Sequence, residues 1–132
     1  MDIEKLREQI YTQLFAAEVY DQLASISPDQ ETKDMMLAFK TDSLNNAAYL
    51  DTFHQEEMSS SYVPIITTPI PQESFMDTVL WMLRYEAGIY RSFFREGFRK
   101  DLPTDYITLL QYISGISNHH SLVLTHIYLT GQ

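Results

Sequence analysis

The chain has no cysteine, few glycines and no long apolar segment, and each absence narrows the class of protein. Without cysteine no disulfide framework can form, and four glycines are too few for the loops that cradle nucleotide phosphates. The apolar runs are much shorter than the ~20 residues needed to cross a bilayer. The first residues also lack the basic segment followed by an apolar one that marks a secretory signal. We therefore expect a soluble, cytoplasmic protein.

Basic side chains are scarce as well. Nine lysine and arginine residues stand against eighteen aspartate and glutamate residues, which gives a net charge of -9. This charge is spread along the chain and repels phosphate backbones and anionic lipid. Neither nucleic acid nor a membrane is an expected partner. A length of 132 residues suits one core, so a single domain over 1–132 is predicted.

Apolar side chains recur at three- and four-residue spacing in four segments, which predicts four helices. These cover residues 2–26, 28–58, 73–99 and 104–129, each to within a few positions. Between the first two helices, Ser27 is expected to cap the second helix and Pro28 to be its first residue. Residues 59–72 contain three prolines and many β-branched residues, which excludes a helix and predicts an extended connection.

The lengths of the connections predict the topology. Short turns make helices 1 and 2 antiparallel neighbours, and likewise helices 3 and 4. A helix of about 25 residues is ~38 Å long, and the extended residues 59–72 reach ~45 Å. That segment can therefore run the length of a bundle. The predicted fold is all-α, with two antiparallel helix pairs joined by one long crossover, as in ferritin-like four-helix bundles.

Motifs in the first three helices make the likeness more specific. Residues 13–24 read Gln-Leu-Phe-Ala-Ala-Glu-Val-Tyr-Asp-Gln-Leu-Ala, residues 39–50 read Phe-Lys-Thr-Asp-Ser-Leu-Asn-Asn-Ala-Ala-Tyr-Leu, and residues 83–93 read Leu-Arg-Tyr-Glu-Ala-Gly-Ile-Tyr-Arg-Ser-Phe. These segments resemble the metal-binding helices of the ferritin-like superfamily, of the rubrerythrin and bacterioferritin types. In that family a ligand Glu precedes a Tyr by seven positions in the first helix, and in the second helix two residues separate Asp-Glu from His-Ala.

The resemblance assigns six ligand positions, two of which come from helix 4. In helix 4 the apolar phase selects the register of Ser117 and His120 over that of Asn118 and Ser121. The six positions are Gln13, Ser43, Asn46, Glu86, Ser117 and His120. A di-iron centre of this family needs four carboxylates and two imidazoles. Only Glu86 and His120 are residue types that commonly bind metal, so the resemblance implies a vestigial site.

Two readings of this site follow. In the leading one, Glu86 and His120 hydrogen-bond to each other and to the other four side chains in a buried polar layer. The protein is then noncatalytic, needs no cofactor and has a structural or protein-interaction role. In the alternative, Glu86 and His120 hold iron or zinc in a reduced centre of an oxidoreductase or metal-storage relative. A third reading, a ligand pocket near Met35, Phe39 and Met82, stays open.

Other residues are given a structural interpretation. His54, His119 and His126 are expected to fall away from the centre of the apolar face, with His119 exposed. Gly115, inside helix 4, predicts a close approach of another helix. No Gly-x-Ser-x-Gly elbow or His-Glu-x-x-His helix is present, which leaves other catalytic classes without support.

Helix 1 carries a second apolar stripe, roughly opposite its first stripe of Ile3, Leu6, Ile10 and Ala17. The residues of the second stripe are Tyr11, Phe15, Val19, Leu23 and Ile26. The connection at 63–70 is one candidate to cover it, and a second subunit is the other. We predict a homodimer through these five residues, because an uncovered stripe of this size would be an interaction surface.

Overall fold

The computed structural model describes residues 1–131, which form four α-helices and contain no β-strand. The helices are α1 (Ile3–Ser25), α2 (Gln30–Met58), α3 (Phe75–Glu96) and α4 (Thr104–Thr130). The all-α class and the number of helices are confirmed. The predicted domain extends to Gln132, which lies outside the described residues, and its being a single domain stays a prediction.

The chain divides into two compact units, each built on one pair of helices. One unit contains Met1–Ser25 and Asp29–Ile70, and therefore α1, α2 and most of the connection. The other contains Ile26–Pro28 and the chain from Pro71 onward, and therefore α3 and α4. Within residues 1–131, no helix has both the length and the apolar character that a membrane span requires.

The start of α2 differs from the sequence prediction. The side chain of Asp29 accepts a hydrogen bond from the Thr32 amide at 2.8 Å, so Asp29 is the N-cap and the helix begins at Gln30. Ser27 and Pro28 lie before it in the turn. A carboxylate is favoured at this position because it also interacts with the positive end of the helix dipole. The same hydrogen bond lowers the pKa of Asp29.

The end of α3 also differs, because the helix ends at Glu96 and not at Arg99. Gly97 follows as the C-cap, and a glycine interrupts a helix more readily than any residue except proline. A Cβ atom at residue 97 would lie 3.1 Å from the Cγ atom of Gln111. Glycine therefore allows α4 to approach the end of α3 closely, and the Gln111 amide donates to the Gly97 carbonyl at 3.2 Å.

Side-chain contacts show that α1 and α2 are antiparallel. As residue numbers rise along α1, the numbers of their partners fall along α2. These pairs are Arg7 with His54, Gln13 with Asn46, and Asp21 with Lys40. The helix pair predicted from the short turn is therefore present in the first unit.

The two helices of the second unit, α3 and α4, are antiparallel by the same criterion. Glu86 in α3 pairs with His120 in α4, and Gly97 lies against Gln111. At the other end of the pair, a Cβ atom at Gly131 would lie 3.0 Å from the Cε atom of Met76. Contacts at both ends and in the middle therefore fix one register between α3 and α4.

The second stripe of α1 is buried within a single chain. Phe15 is 2% exposed, and Val19 and Leu23 are 0% exposed. Tyr11 and Ile26 are partly exposed. The predicted dimer interface through these five residues is therefore wrong, because its central side chains are inaccessible. A helix that is apolar on two sides is buried on both. The sequence pattern could not show that the chain itself buries the second side. A homodimer through another surface stays a prediction.

The connection after α2 runs beside α1 and is fastened to it by Tyr11. The backbone amides of Thr67 and Thr68 donate to the Tyr11 phenol oxygen at 3.1 and 3.0 Å. The Thr68 hydroxyl lies 2.7 Å from the same oxygen. Earlier in the connection, the Arg7 guanidinium lies over the ring of Tyr62, 5.4 Å from its centroid. The connection thus covers the Tyr11 end of the second stripe.

Two helical glycines face open space. A Cβ atom added to Gly88 in α3 or to Gly115 in α4 would meet no atom within 4 Å. The close helix approach predicted at Gly115 is therefore wrong within the chain. Both glycines reduce helix stability without a packing reason inside the described residues.

Tyr11 should titrate at unusually low pH. Hydrogen bonds, the largest from the Thr68 side chain, lower the pKa of Tyr11 from 10.0 to about 8. The folded chain binds the proton less tightly than the unfolded chain, so this group stabilises the fold increasingly as pH rises from about 8 to 10.0. That contribution is lost as pH falls through the lower value. Ultraviolet titration should detect one tyrosinate with a midpoint near pH 8.

The matched variants are Tyr11→Phe and Tyr112→Phe. The first should remove the early titration step, whereas the second, at an exposed position of α4, should leave it in place. Persistence of the early step in Tyr11→Phe would contradict the assignment.

Gly115→Ala should stabilise the protein. Alanine is favoured over glycine inside a helix by ~1 kcal/mol, and the added methyl group has free space. Urea denaturation should show an increase of this size in the free energy of unfolding. Gly97→Ala is the control, and it should gain less because its Cβ atom would crowd Gln111. A loss of stability in Gly115→Ala would show that the glycine has a steric role.

Candidate functional site

All six positions assigned by the resemblance point into the protein. Each of these side chains is at most 2% exposed. Gln13, Ser43 and Asn46 belong to the first unit, and Glu86, Ser117 and His120 belong to the second. All six side chains are therefore buried, as the helical phase indicated, whereas their assignment to metal-ligand positions stays a prediction. A joint polar layer of all six residues stays a prediction.

In the first unit, the inward polar side chains form hydrogen bonds within the α1–α2 pair. The Asn46 amide donates to Gln13 Oε1 at 3.1 Å, and so links the two helices. The Ser43 hydroxyl donates to the Phe39 carbonyl of its own helix at 3.0 Å. Gln13 Nε2 and Asn46 Oδ1 are buried without a hydrogen-bond partner among residues 1–131. Each of the two amide groups therefore has one polar atom hydrogen-bonded to the other amide and one polar atom without a partner in that part of the chain.

In the second unit, Glu86 and His120 bind each other directly. Oε2 of Glu86 and Nδ1 of His120 are 2.5 Å apart, and the two side chains are 2% and 1% exposed. A buried carboxylate is costly unless a charge or hydrogen bonds compensate it. The imidazole supplies that compensation here through a hydrogen bond to the carboxyl group.

The distance within this pair distinguishes a hydrogen bond from joint metal ligation. Two donor atoms that bind one zinc or iron ion at ~2.1 Å each lie ~3.0–3.4 Å apart. The separation of 2.5 Å is shorter than that range. To bind an ion through these two atoms, the pair would have to separate and lose its hydrogen bond. The contact between these two atoms is therefore a hydrogen bond.

The donor set does not fit a di-iron centre. The residues at the six positions provide one carboxylate and one imidazole, whereas the family's centre needs four and two. Over residues 1–131, no three His, Cys, Asp or Glu side chains are grouped in a way that could hold an ion. Uncharged amides and hydroxyls neither bridge two irons nor offset their charge.

The sequence analysis placed His54 wrongly. This side chain is 1% exposed, although it was expected to lie away from the apolar face. Its Nδ1 lies 2.6 Å from the Ser60 carbonyl, and its Nε2 accepts from Arg7 Nε at 3.1 Å. The ring therefore donates through Nδ1 and accepts through Nε2, which is the pattern of a neutral imidazole. The sequence could have indicated the burial of His54, because this residue follows the buried Leu50 by four positions on the same helix face.

The other two histidines agree with expectation. His119 and His126 are both exposed. The rings of His119 and His120 are 6.3 Å apart at their centroids, although the residues are adjacent in sequence. Adjacent positions on a helix point ~100° apart, which separates the two rings.

Asp51 completes the contacts around the end of α2. Burial acts to raise the pKa of its carboxyl group, but hydrogen bonds from the Tyr62 amide, Gln55 and Ser61 outweigh burial and lower the pKa. The Tyr62 amide donates to Asp51 Oδ1 at 2.8 Å. Because an ionised carboxylate accepts these bonds, Asp51 holds the start of the connection against α2.

No protein-family profile, curated protein or solved structure matches this chain. The likeness to the ferritin-like superfamily therefore stays a prediction that depends on the helical motifs.

Glu86→Ala should destabilise the protein strongly. Removing one partner of a buried ion pair leaves the other uncompensated and costs ~3–5 kcal/mol. His120→Ala should cost a similar amount, and chemical denaturation measures both. The double variant Glu86→Leu/His120→Leu should recover most of the loss, because two apolar side chains replace the pair without an orphaned charge.

His126→Ala is the control for this set, because it removes an exposed histidine from the same helix. It should change the free energy of unfolding by less than ~0.5 kcal/mol. Additive losses in the double variant would show that Glu86 and His120 act independently, and would contradict the assigned pair.

Proposed function

We propose that this chain is a noncatalytic protein of ferritin-like type whose metal-ligand positions now hold a structural polar cluster. It acts in protein interaction or as a structural component, as a homodimer in the cytoplasm. The observation that supports this proposal most directly is the buried hydrogen bond between Glu86 and His120. The two side chains that could have kept metal chemistry are engaged with each other.

The first unit gives independent support. Gln13 occupies the position of a ligand carboxylate, and Asn46 occupies that of a ligand imidazole. The two amides are hydrogen-bonded to each other. A neutral amide is a poor ligand for iron but a good partner for another amide. In this proposal, Gln13 and Asn46 replace two metal ligands by one cross-helix hydrogen bond, which holds α1 and α2 in register without a cation.

The alternative is a metalloprotein with a reduced centre that uses Glu86 and His120. One observation favours it, namely that a carboxylate and an imidazole lie side by side in a buried place. Both are ligand types that zinc and iron accept, and water would have to complete the coordination. Such a site would serve an oxidoreductase or metal-storage relative with one ion and not two.

Metal analysis distinguishes the two functions. The protein should be expressed in medium rich in iron and zinc, purified without chelators and analysed for bound metal. We expect far less than one ion per chain, because the hydrogen-bonded pair presents no open chelate. Near-stoichiometric iron or zinc would favour the alternative.

Variants assign any metal that is found. Glu86→Gln keeps the size of the side chain and a hydrogen-bonding group, so it should lose less stability than Glu86→Ala. If bound metal disappears in Glu86→Gln but persists in His126→Ala, the alternative holds and the structural proposal fails. Circular dichroism of each variant confirms that the helices are retained.

A further inference from the structure

The positive charges of this acidic protein are concentrated in one segment. Five of the nine lysine and arginine residues lie between positions 84 and 100. Residues 1–70, in contrast, carry twelve acidic and four basic side chains. This segment, which comprises the second half of α3 and the turn after it, is therefore locally basic, while the first unit is strongly acidic. Such an asymmetry favours contact between unlike regions of two molecules.

Three of these arginines form an exposed stripe on α3. Arg84, Arg91 and Arg95 are all exposed, and their spacing of seven and four residues places them on one face of the helix. None of the three forms an ion pair with any of residues 1–131. Arg99, by comparison, is paired with Glu96 and Asp101. The arginine stripe is thus positively charged and available.

Gly88 lies in the middle of the arginine stripe. It follows Arg84 by four residues and precedes Arg91 by three, so it shares their face. A Cβ atom there would meet nothing within 4 Å, so no contact inside the chain requires glycine. A residue without a side chain between exposed arginines leaves the helix backbone open to close approach by another helix.

An exposed face of α2 has complementary features. Glu31, Asp34 and Ala38 are exposed and spaced by three and four residues, which places them on one face. Asp34 accepts a hydrogen bond from the neutral Gln30 amide at 2.7 Å and forms no ion pair with any of residues 1–131. Two carboxylates therefore precede a small residue on α2, just as Gly88 precedes two arginines on α3.

We propose that α3 of one copy packs antiparallel against α2 of a second copy, with the arginine stripe against this acidic face. In this register Arg95 pairs with Glu31, Arg91 with Asp34, and Gly88 faces Ala38. In an antiparallel pair the residue numbers of partners have a nearly constant sum, and these three pairs satisfy that condition. The small residues allow the two helices to approach, and the charged residues fix their register. This rests on the proposed interaction role and names its partner and surface.

The same register engages an exposed aromatic residue. Tyr49 lies eleven positions after Ala38 and is 46% exposed. Asp77 lies eleven positions before Gly88, in a surface concavity on α3 that Trp81 also lines. Tyr49 of the second copy therefore falls at this concavity. Partly exposed aromatic side chains that enter a concavity are frequent anchors of protein interfaces.

A second copy fits this surface better than nucleic acid or a lipid surface does. The net charge of -9 repels extended polyanions, and three arginines on one helix face do not overcome it. The acidic face of α2 instead matches the arginine stripe over the same length of helix and brings a small residue to the glycine. Self-association through these faces should therefore weaken with salt, as the Debye length falls from about 10 Å at 0.1 M to about 3 Å at 1 M.

Charge reversal tests the pairing by analytical ultracentrifugation of the full chain. Wild type should self-associate at low salt, and Arg91→Glu/Arg95→Glu should raise the dissociation constant by roughly a hundredfold, because like charges then meet. Glu31→Arg/Asp34→Arg should do the same. An equimolar mixture of the two variants should associate again, since each then offers the charge that the other lost.

The two open glycines give a matched pair of variants. Gly88→Ala should weaken self-association by about tenfold or more, because a methyl group holds the helices apart. Gly115→Ala, at an equally open site on α4, should leave self-association unchanged. Both should be at least as resistant to urea as wild type, so neither result can be attributed to unfolding.

Three outcomes would overturn the proposal. They are a monomeric wild type at every salt concentration, a mixture of reversed variants that does not associate, and equal behaviour of the two glycine variants. Binding of wild type to single-stranded DNA or anionic vesicles, without self-association, would give the arginine stripe another partner. None of these outcomes depends on metal content, so a failure here is distinguishable from a failure of the noncatalytic role.

Discussion

A polar side chain that folding carries into the interior must find a partner there, and this constraint shapes both helix pairs. In the second unit the constraint is severe, because a carboxylate that is 2% exposed loses nearly all its hydration. His120 resolves it for Glu86 through one short contact. In the first unit the amides of Gln13 and Asn46 are neutral, which reduces the cost of burial, and one hydrogen bond between them satisfies one polar atom of each. The two polar clusters differ because the second unit buries a carboxyl group, whereas the side chains of Gln13 and Asn46 are neutral amides.

Polar pairs also set the register of the helices. Apolar faces tolerate sliding, because one leucine replaces another at similar cost, whereas a displaced polar pair leaves unsatisfied groups on both helices. A shift of one helical turn in the first unit would break the Gln13–Asn46 bond and the Arg7–His54 bond together. We infer that specificity of packing is what these polar residues now contribute, a use that needs neither metal nor catalysis.

The connection after α2 illustrates how a segment without regular structure is held. Its prolines cannot donate hydrogen bonds, so a regular ladder with another strand is not available. Single side chains of the helices bind its backbone instead. Asp51 accepts from the Tyr62 amide, His54 donates to the Ser60 carbonyl, and Tyr11 accepts from two successive amides. The connection thus replaces a ladder with contacts spaced along α1 and α2.

The sequence alone determined the number of helices, their approximate limits and the burial of the six polar positions, because apolar spacing and turn residues are local signals. Tertiary structure decided which side chains become partners. His54 continues the buried face of α2, yet its burial depends on Arg7 and on a carbonyl in the connection. From the sequence, the second stripe of α1 was predicted to be an interaction surface, whereas the folded chain buries its central side chains. Periodicity reports the direction of a side chain, whereas the atoms it meets are supplied by distant parts of the chain, and only folding brings them together.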